Sequence, residues 1–104
     1  MTYNLSFLPE VEDDLIVGYL WYEEKALGLG DEFLRTFYAR ANELSHNSLL
    51  YQKVYSDFRR SLLRRFPYAI YYRLEEDTVV VFGLFHYAIN PKNIQDQLLG
   101  RNVL

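Results

Sequence analysis

Cysteine is absent from the 104 residues, which removes disulfide frameworks, thiol nucleophiles and cysteine-built zinc sites together. Histidine is scarce: His46 and His86 are the two present, with no H-x-x-x-H spacing, so no metal site is expected. Three prolines and five glycines are too few and too scattered for a linker, and no repeat or low-complexity segment appears. A single domain spanning 1–104 is the reading. The phosphate-cradling G-x-x-x-x-G-K-[ST], the dinucleotide G-x-G-x-x-G and the nucleophile elbow G-x-S-x-G are all missing, so no cofactor is expected. No apolar run approaches the roughly 20 residues of a membrane helix. The opening Met1-Thr2-Tyr3-Asn4-Leu5 also lacks the basic and apolar regions of a signal peptide. A cytoplasmic chain with no membrane partner is expected.

What is present is apolar and aromatic. Half the residues are hydrophobic and 17% aromatic, with 10 tyrosines and 7 phenylalanines, enough to build a core. The net charge of −3 conceals an asymmetry: residues 1–45 hold nine acids against three bases, and residues 46–104 eight bases against five acids. Between Phe58 and Arg73 stand five arginines (Arg59, Arg60, Arg64, Arg65 and Arg73) and no acid. That stretch can meet phosphate, an acidic partner, or the acidic first half of its own fold.

The hydrophobic periods give an element order. Tyr3 to Phe7 alternates apolar and polar as a half-buried strand does. Pro9 suits a first helical turn, and Val11, Leu15, Gly18 and Tyr22 then recur at helical spacing, with Ile16 and Tyr19 expected to widen the stripe. Glu10, Glu12, Asp13 and Asp14 crowd the turn where the helix dipole favours acids. Gly28-Leu29-Gly30 is read as a break and Asp31 as the cap of a second helix carrying Phe33, Phe37, Ala41 and Leu44, ended by His46-Asn47-Ser48. Strands are expected weakly at Val54-Tyr55, then at Arg59–Phe66, Tyr68–Leu74 and Thr78–His86, the last closed by Pro91. Residues 92–104 are read as a short helix or tail through Ile94, Leu98 and Leu99. The fold class is α+β: an N-terminal strand and a helical hairpin packed on one face of a mostly antiparallel sheet.

Few residues carry chemistry. His86 ends the last long strand and is read as sharing a face with Val80, Phe82 and Leu84, where its imidazole suits acid–base work. Arg59-Arg60 and Arg64-Arg65 place one arginine of each pair on either face of a strand, so at least two guanidiniums are expected in solvent. Tyr68, Tyr71, Tyr72 and Tyr87 suit base stacking or a core.

Three stretches together resemble the RelE/ParE superfamily of toxin–antitoxin toxins, on its ParE-like side, often labelled plasmid stabilisation proteins. They are Trp21-Tyr22-Glu23-Glu24 with Gly28-Leu29-Gly30-Asp31-Glu32-Phe33-Leu34, then Arg64-Arg65-Phe66-Pro67-Tyr68-Ala69-Ile70-Tyr71-Tyr72, then His86 after a β-branched strand. The resemblance runs from Tyr3 to about Pro91. It implies a toxin held inactive by a cognate antitoxin that wraps the hairpin and sheet, and DNA gyrase as the target of a binding-type inhibitor. Arg59, Arg65 and His86 would then form the target-binding surface, with Tyr68 supporting it. The RelE-like alternative is a ribosome-dependent mRNA endoribonuclease using Arg59, Arg65 and His86 or Tyr87 as catalytic groups; direct nucleic-acid binding is expected only in that case. The family's H-x-x-R-x-P runs here as His86-Tyr87-Ala88-Ile89-Asn90-Pro91, with Ile89 in the arginine's place. That departure, and the acidic pI of about 5.3, admit a third reading, a non-toxic antitoxin-binding module. A partner-binding chain of this kind also requires an exposed groove between hairpin and sheet.

Overall fold

The computed structural model describes residues 2–101. The chain runs β1 (Asn4–Phe7), α1 (Pro9–Lys25), α2 (Leu29–Asn47), a 3-10 turn (Ser48–Leu50), β2 (Lys53–Tyr55), β3 (Phe58–Leu62), β4 (Tyr68–Glu75), β5 (Thr78–His86) and α3 (Pro91–Gly100). The five strands form one sheet in the order β1-β5-β4-β3-β2. β1 runs parallel to β5, and every other pairing is antiparallel. The expected α+β class, with a helical hairpin on one face, is the observed one.

Cross-strand register sorts the side chains. Tyr68, Ile70, Tyr72 and Leu74 stand opposite His86, Leu84, Val81 and Val79 and face the hairpin. Ala69, Tyr71 and Arg73 stand opposite Phe85, Gly83 and Val80 on the other face, which α3 partly covers through Ile94 and Leu98. The pairing jumps from Tyr71–Gly83 to Tyr72–Val81, so Phe82 is the extra residue of a bulge. The bulge corrects one expectation: it shifts the alternation by one residue, so His86 and Leu84 share the hairpin face with Val79 and Val81, not with Val80 and Phe82.

The hairpin packs closely because two glycines let it. A Cβ on Gly18 of α1 would lie 2.5 Å from the Phe33 ring of α2, and one on Gly30 would lie 2.8 Å from the Tyr19 carbonyl. Phe33, Phe37, Ala41 and Leu44 are fully buried, the expected stripe of α2. Ile16 does not widen the α1 stripe but stands 47% exposed. The break between the helices is shorter than expected, because Gly28 alone takes the left-handed backbone, at φ 88°, and Leu29 already opens α2. Asp31 therefore lies in the first turn and does not cap it. Glu23 caps it instead: its carboxylate accepts from the N–H of Gly28 at 2.9 Å and of Gly30 at 3.0 Å. Glu23→Ala should lower unfolding stability by about 1–2 kcal/mol, read by urea denaturation, whereas Glu24→Ala next to it should change little.

β3 ends at Leu62, not Phe66, because Arg65 takes a positive φ of 69° and the chain turns back through Leu63–Pro67. Pro91 does not close the last strand; it opens α3, which is capped by the Asn90 side chain accepting from the Lys92 N–H. Within α3, Ile94 and Leu98 are buried and Leu99 faces out, 58% exposed. The remainder of the expected 92–104 tail, residues 102–104, lies outside the described residues. No helix of the described residues is long and apolar enough to cross a membrane.

Candidate functional site

The strand ladder brings two of the four expected target-binding residues together. Tyr68 opens β4 and His86 ends β5 directly opposite, their rings edge to face at 5.1 Å. His86 Nδ1 accepts from the Ala88 N–H at 2.9 Å, which places its ring proton on Nε2, facing away from that turn. Tyr68 reaches inward to Phe33 at 5.0 Å and Tyr22 at 6.1 Å, and burial raises its phenol above its ordinary pKa. The pair is therefore an aromatic corner rooted in the core, with the His86 ring at its outer side.

The two arginines go elsewhere. Arg65 sits in the β3–β4 turn and donates to Glu32 of α2 at 3.1 Å, half of a solvent-facing ion pair. Arg59 stands opposite Tyr72, four residues along β4 from Tyr68, or roughly 13 Å at strand rise. Its Nη1 donates to the Tyr51 carbonyl at 2.6 Å, tying down the chain after the 3-10 turn. Tyr72 completes that tie, since its hydroxyl donates to the Ser48 carbonyl and burial pushes its phenol pKa well up. Arg59, Arg65, Tyr68 and His86 thus do not converge on one reacting centre.

Two grooves flank the His86 end of the sheet. The first, about 220 Å³, lies between α1 and the end of β5 and is lined by Asp14, Val17, Tyr68, Leu84, His86 and Ile89, among others. It is the groove between hairpin and sheet that the sequence required. The second, about 240 Å³, opens on the opposite sheet face among Tyr55, Arg60, Leu62, Tyr71, Tyr87 and Ile94, with Ile89 and Pro91 at one end. Ile89, in the position of the family's arginine, is an apolar wall shared by both. In the second groove Tyr55 and Tyr71 stack at 6.2 Å, 17° from parallel, and Arg60 pairs with no carboxylate among the described residues. Burial raises the Tyr71 phenol pKa while the Arg60 hydrogen bond and charge pull it partly back.

Tyr87 is the one expected catalytic candidate in this second groove. Tyr71 is among the tyrosines the sequence offers for base stacking, whereas Tyr55 is not, and Arg60 enters the sequence reading only as one of a pair of strand arginines. The signal was there in part: a turn centred near Arg65 pairs Arg60 with Tyr71 by simple counting. Which arginine of each couple faces the groove depends on where β3 ends, and the sequence overestimated its length.

A third surface is apolar. Ile16 and Leu20 on α1 are 47% and 59% exposed, and beside them Tyr19, Leu34 and Tyr38 line an open groove of about 230 Å³ between the helices. Its surroundings are acidic: the charges of Asp31 and then Glu23 raise the pKa of the exposed Tyr19 phenol. Among the described residues no group of His, Asp or Glu is placed to hold a metal.

No family model matches the chain. Toxin ParE2 of Mycobacterium tuberculosis, found in two strains, is 24% identical over 102 residues, covering 97% of each chain. Among solved structures, a chain of the chromosomal ParDE TA system from P. aeruginosa superposes with a TM-score of 0.72 at 13% identity, over 82% of this chain and 96% of that one. A chain of the toxin–antitoxin complex RelBE2 from Mycobacterium tuberculosis gives 0.58 at 22% identity, over 83% of this chain and 99% of that one. At these identities the two structures speak for the fold.

Proposed function

We infer that this chain is a member of the RelE/ParE toxin superfamily and the toxin half of a toxin–antitoxin pair, one that acts by binding its target and is silenced by a cognate antitoxin. DNA gyrase is the target of this reading. The observation that carries it is the end-to-end likeness to a ParE-type toxin. The distance of Arg59 from the Tyr68–His86 corner and the engagement of Arg65 with Glu32 support binding over turnover, because general acid–base chemistry needs its groups within hydrogen-bond reach of one another's substrate atoms. A binding surface has no such requirement. Arg65 and His86 flank the same end of the sheet and offer a guanidinium and an imidazole edge to a macromolecular partner.

The antitoxin reading has its own support. Ile16, Tyr19, Leu34 and Tyr38 line an apolar groove, with Leu20 exposed one turn beyond Ile16 on α1 and Glu12, Glu23 and Asp31 near it, which fits an amphipathic segment with basic flanks. A second copy of this surface would bring acid against acid.

Purified chain should inhibit gyrase supercoiling, and the Arg65→Ala, His86→Ala double variant should lose most of that inhibition while melting within a few degrees of the parent. Untouched supercoiling at high molar excess would remove gyrase as the target.

A ribosome-dependent endoribonuclease is the second reading. One observation favours it: the groove in which Arg60, without a carboxylate partner among the described residues, stands beside the stacked Tyr55 and Tyr71, with Tyr87 at its edge, offers a cation for phosphate and faces for bases. Primer extension on messenger RNA after induction separates the two readings. New 5′ ends within reading frames, abolished by Arg60→Ala, would favour cleavage; their absence would eliminate it.

A further inference from the structure

β5 is longer than the strand beside it. β1 pairs with Thr78–Val81 only, and Leu8 makes the last backbone bond, its N–H donating to Val81 O at 3.0 Å. From Phe82 to His86 the outer edge of β5 has no strand partner among the described residues. An open edge of this length is a template for another strand. Here it is covered by two side chains from distant parts of the chain.

Asp14 reaches down from α1 and accepts from the Leu84 N–H at 3.1 Å. Arg101, just past the end of α3, donates to the Phe82 carbonyl at 2.7 Å. The two grip each other in a bidentate pair at 2.7 and 3.0 Å, with side-chain exposures of 11% and 12%. The approach depends on Gly83, where a Cβ would lie 2.9 Å from Arg101 Nη1, and the guanidinium also sits over the Phe85 ring at 5.1 Å. The carboxylate and guanidinium thus stand in for the acceptor and donor of a missing strand.

We propose that Asp14 and Arg101 guard a latent self-association edge, and that without them two copies of this chain pair β5 to β5 in antiparallel register about Leu84. The backbone groups fit that occupant. A residue's N–H and C=O point to the same side of a strand, so Leu84 C=O and His86 N–H face the edge alongside Leu84 N–H and Phe82 C=O. About a two-fold axis at Leu84, its N–H meets the partner's Leu84 C=O, and the His86 N–H meets the partner's Phe82 C=O. Both copies repeat these bonds, giving a closed, isologous contact. Val17, 69% exposed on α1, provides apolar surface near this end of β5.

The guard predicts a pattern that an ordinary structural ion pair does not. Removing one partner leaves a lone charge aimed along the edge, which both destabilises the fold and repels a second copy. Removing both frees the edge. Asp14→Ala and Arg101→Ala singly should lower the melting temperature and stay monomeric. The Asp14→Ala, Arg101→Ala double variant should double in mass by sedimentation as its concentration rises, with new amide-exchange protection at His86. The Asp14→Leu, Arg101→Met pair replaces the ions with similar volume and should behave as the double variant does if alanine costs too much stability. In the native chain the Leu84 amide should already exchange slowly. Double variants that remain monomeric, a dimer without protection at His86, or a fast-exchanging native Leu84 amide would each overturn the proposal.

Discussion

Replacing Phe33 with alanine should lower unfolding stability by about 3–5 kcal/mol, the largest single loss expected from any side chain in this fold. The ring is fully buried where the hairpin meets the sheet, against Tyr22 at 5.2 Å, Tyr68 at 5.0 Å and Phe66 at 5.3 Å. Each of those aromatics belongs to a different element, so the hole cannot close by one local shift. A domain of this size has about 5–15 kcal/mol in total, and the melting temperature should fall by more than about 12 °C. Phe33→Leu keeps most of the volume and should cost less than half as much. Gly18→Ala supplies the internal control. Alone it drives a methyl into the Phe33 ring, 2.5 Å from Cβ to the nearest ring carbon, and destabilises. Combined with Phe33→Ala the methyl enters the vacated space, so the two losses should sum to less than their parts, as calorimetry or urea denaturation would read. Additive losses would mean that the helices do not meet at this contact.

The same aromatic cluster explains why so much of the fold is legible in the sequence. Phe33, Phe37, Ala41 and Leu44 stand at helical spacing, and Thr78–His86 is mostly β-branched and aromatic, so local period and tertiary burial agree. The discrepancies fall where backbone geometry, not residue type, decides. A bulge at Phe82 moves His86 to the hairpin face, and alternation read from the sequence has no means of registering one inserted residue. A positive φ at Arg65 shortens β3 and thereby selects which arginine faces the tyrosine groove. Arg65 is neither glycine nor asparagine, so the turn carried little signal. The Asp14–Arg101 pair spans almost the whole chain, and nothing in either local neighbourhood announces it. The resemblance to a toxin family, carried by Trp21-Tyr22-Glu23-Glu24 and Arg64–Tyr72, reached the fold and the relatives correctly because those stretches shape the hairpin cap and the β3–β4 turn, which are structural features. Glu23 caps α2. The family's functional positions are another matter, since Arg59 spends its guanidinium on the Tyr51 carbonyl.

On the toxin–antitoxin reading, Ile16→Lys and Leu20→Lys should weaken the complex with the cognate antitoxin at least about thirtyfold each, the effect of losing a central apolar contact worth 2 kcal/mol or more. Both side chains are about half exposed in the isolated chain, so little stability rests on them, and the melting temperature should move by no more than a few degrees. The two effects separate because burial of Ile16 and Leu20 would be completed only by the partner. Lysine adds a second penalty: a segment that suits the acidic surroundings of Glu12, Glu23 and Asp31 carries basic flanks, and a new cation in the groove repels them. Leu99→Lys on α3 changes an equally exposed leucine on the other side of the sheet and should leave the complex intact. In cells the hairpin variants should escape rescue when antitoxin is co-expressed, whereas Leu99→Lys should still be rescued. Ile16→Lys bound by antitoxin as tightly as the parent would move the docking surface away from the hairpin, to the groove between α1 and β5, and leave the exposed apolar stripe of α1 without a partner.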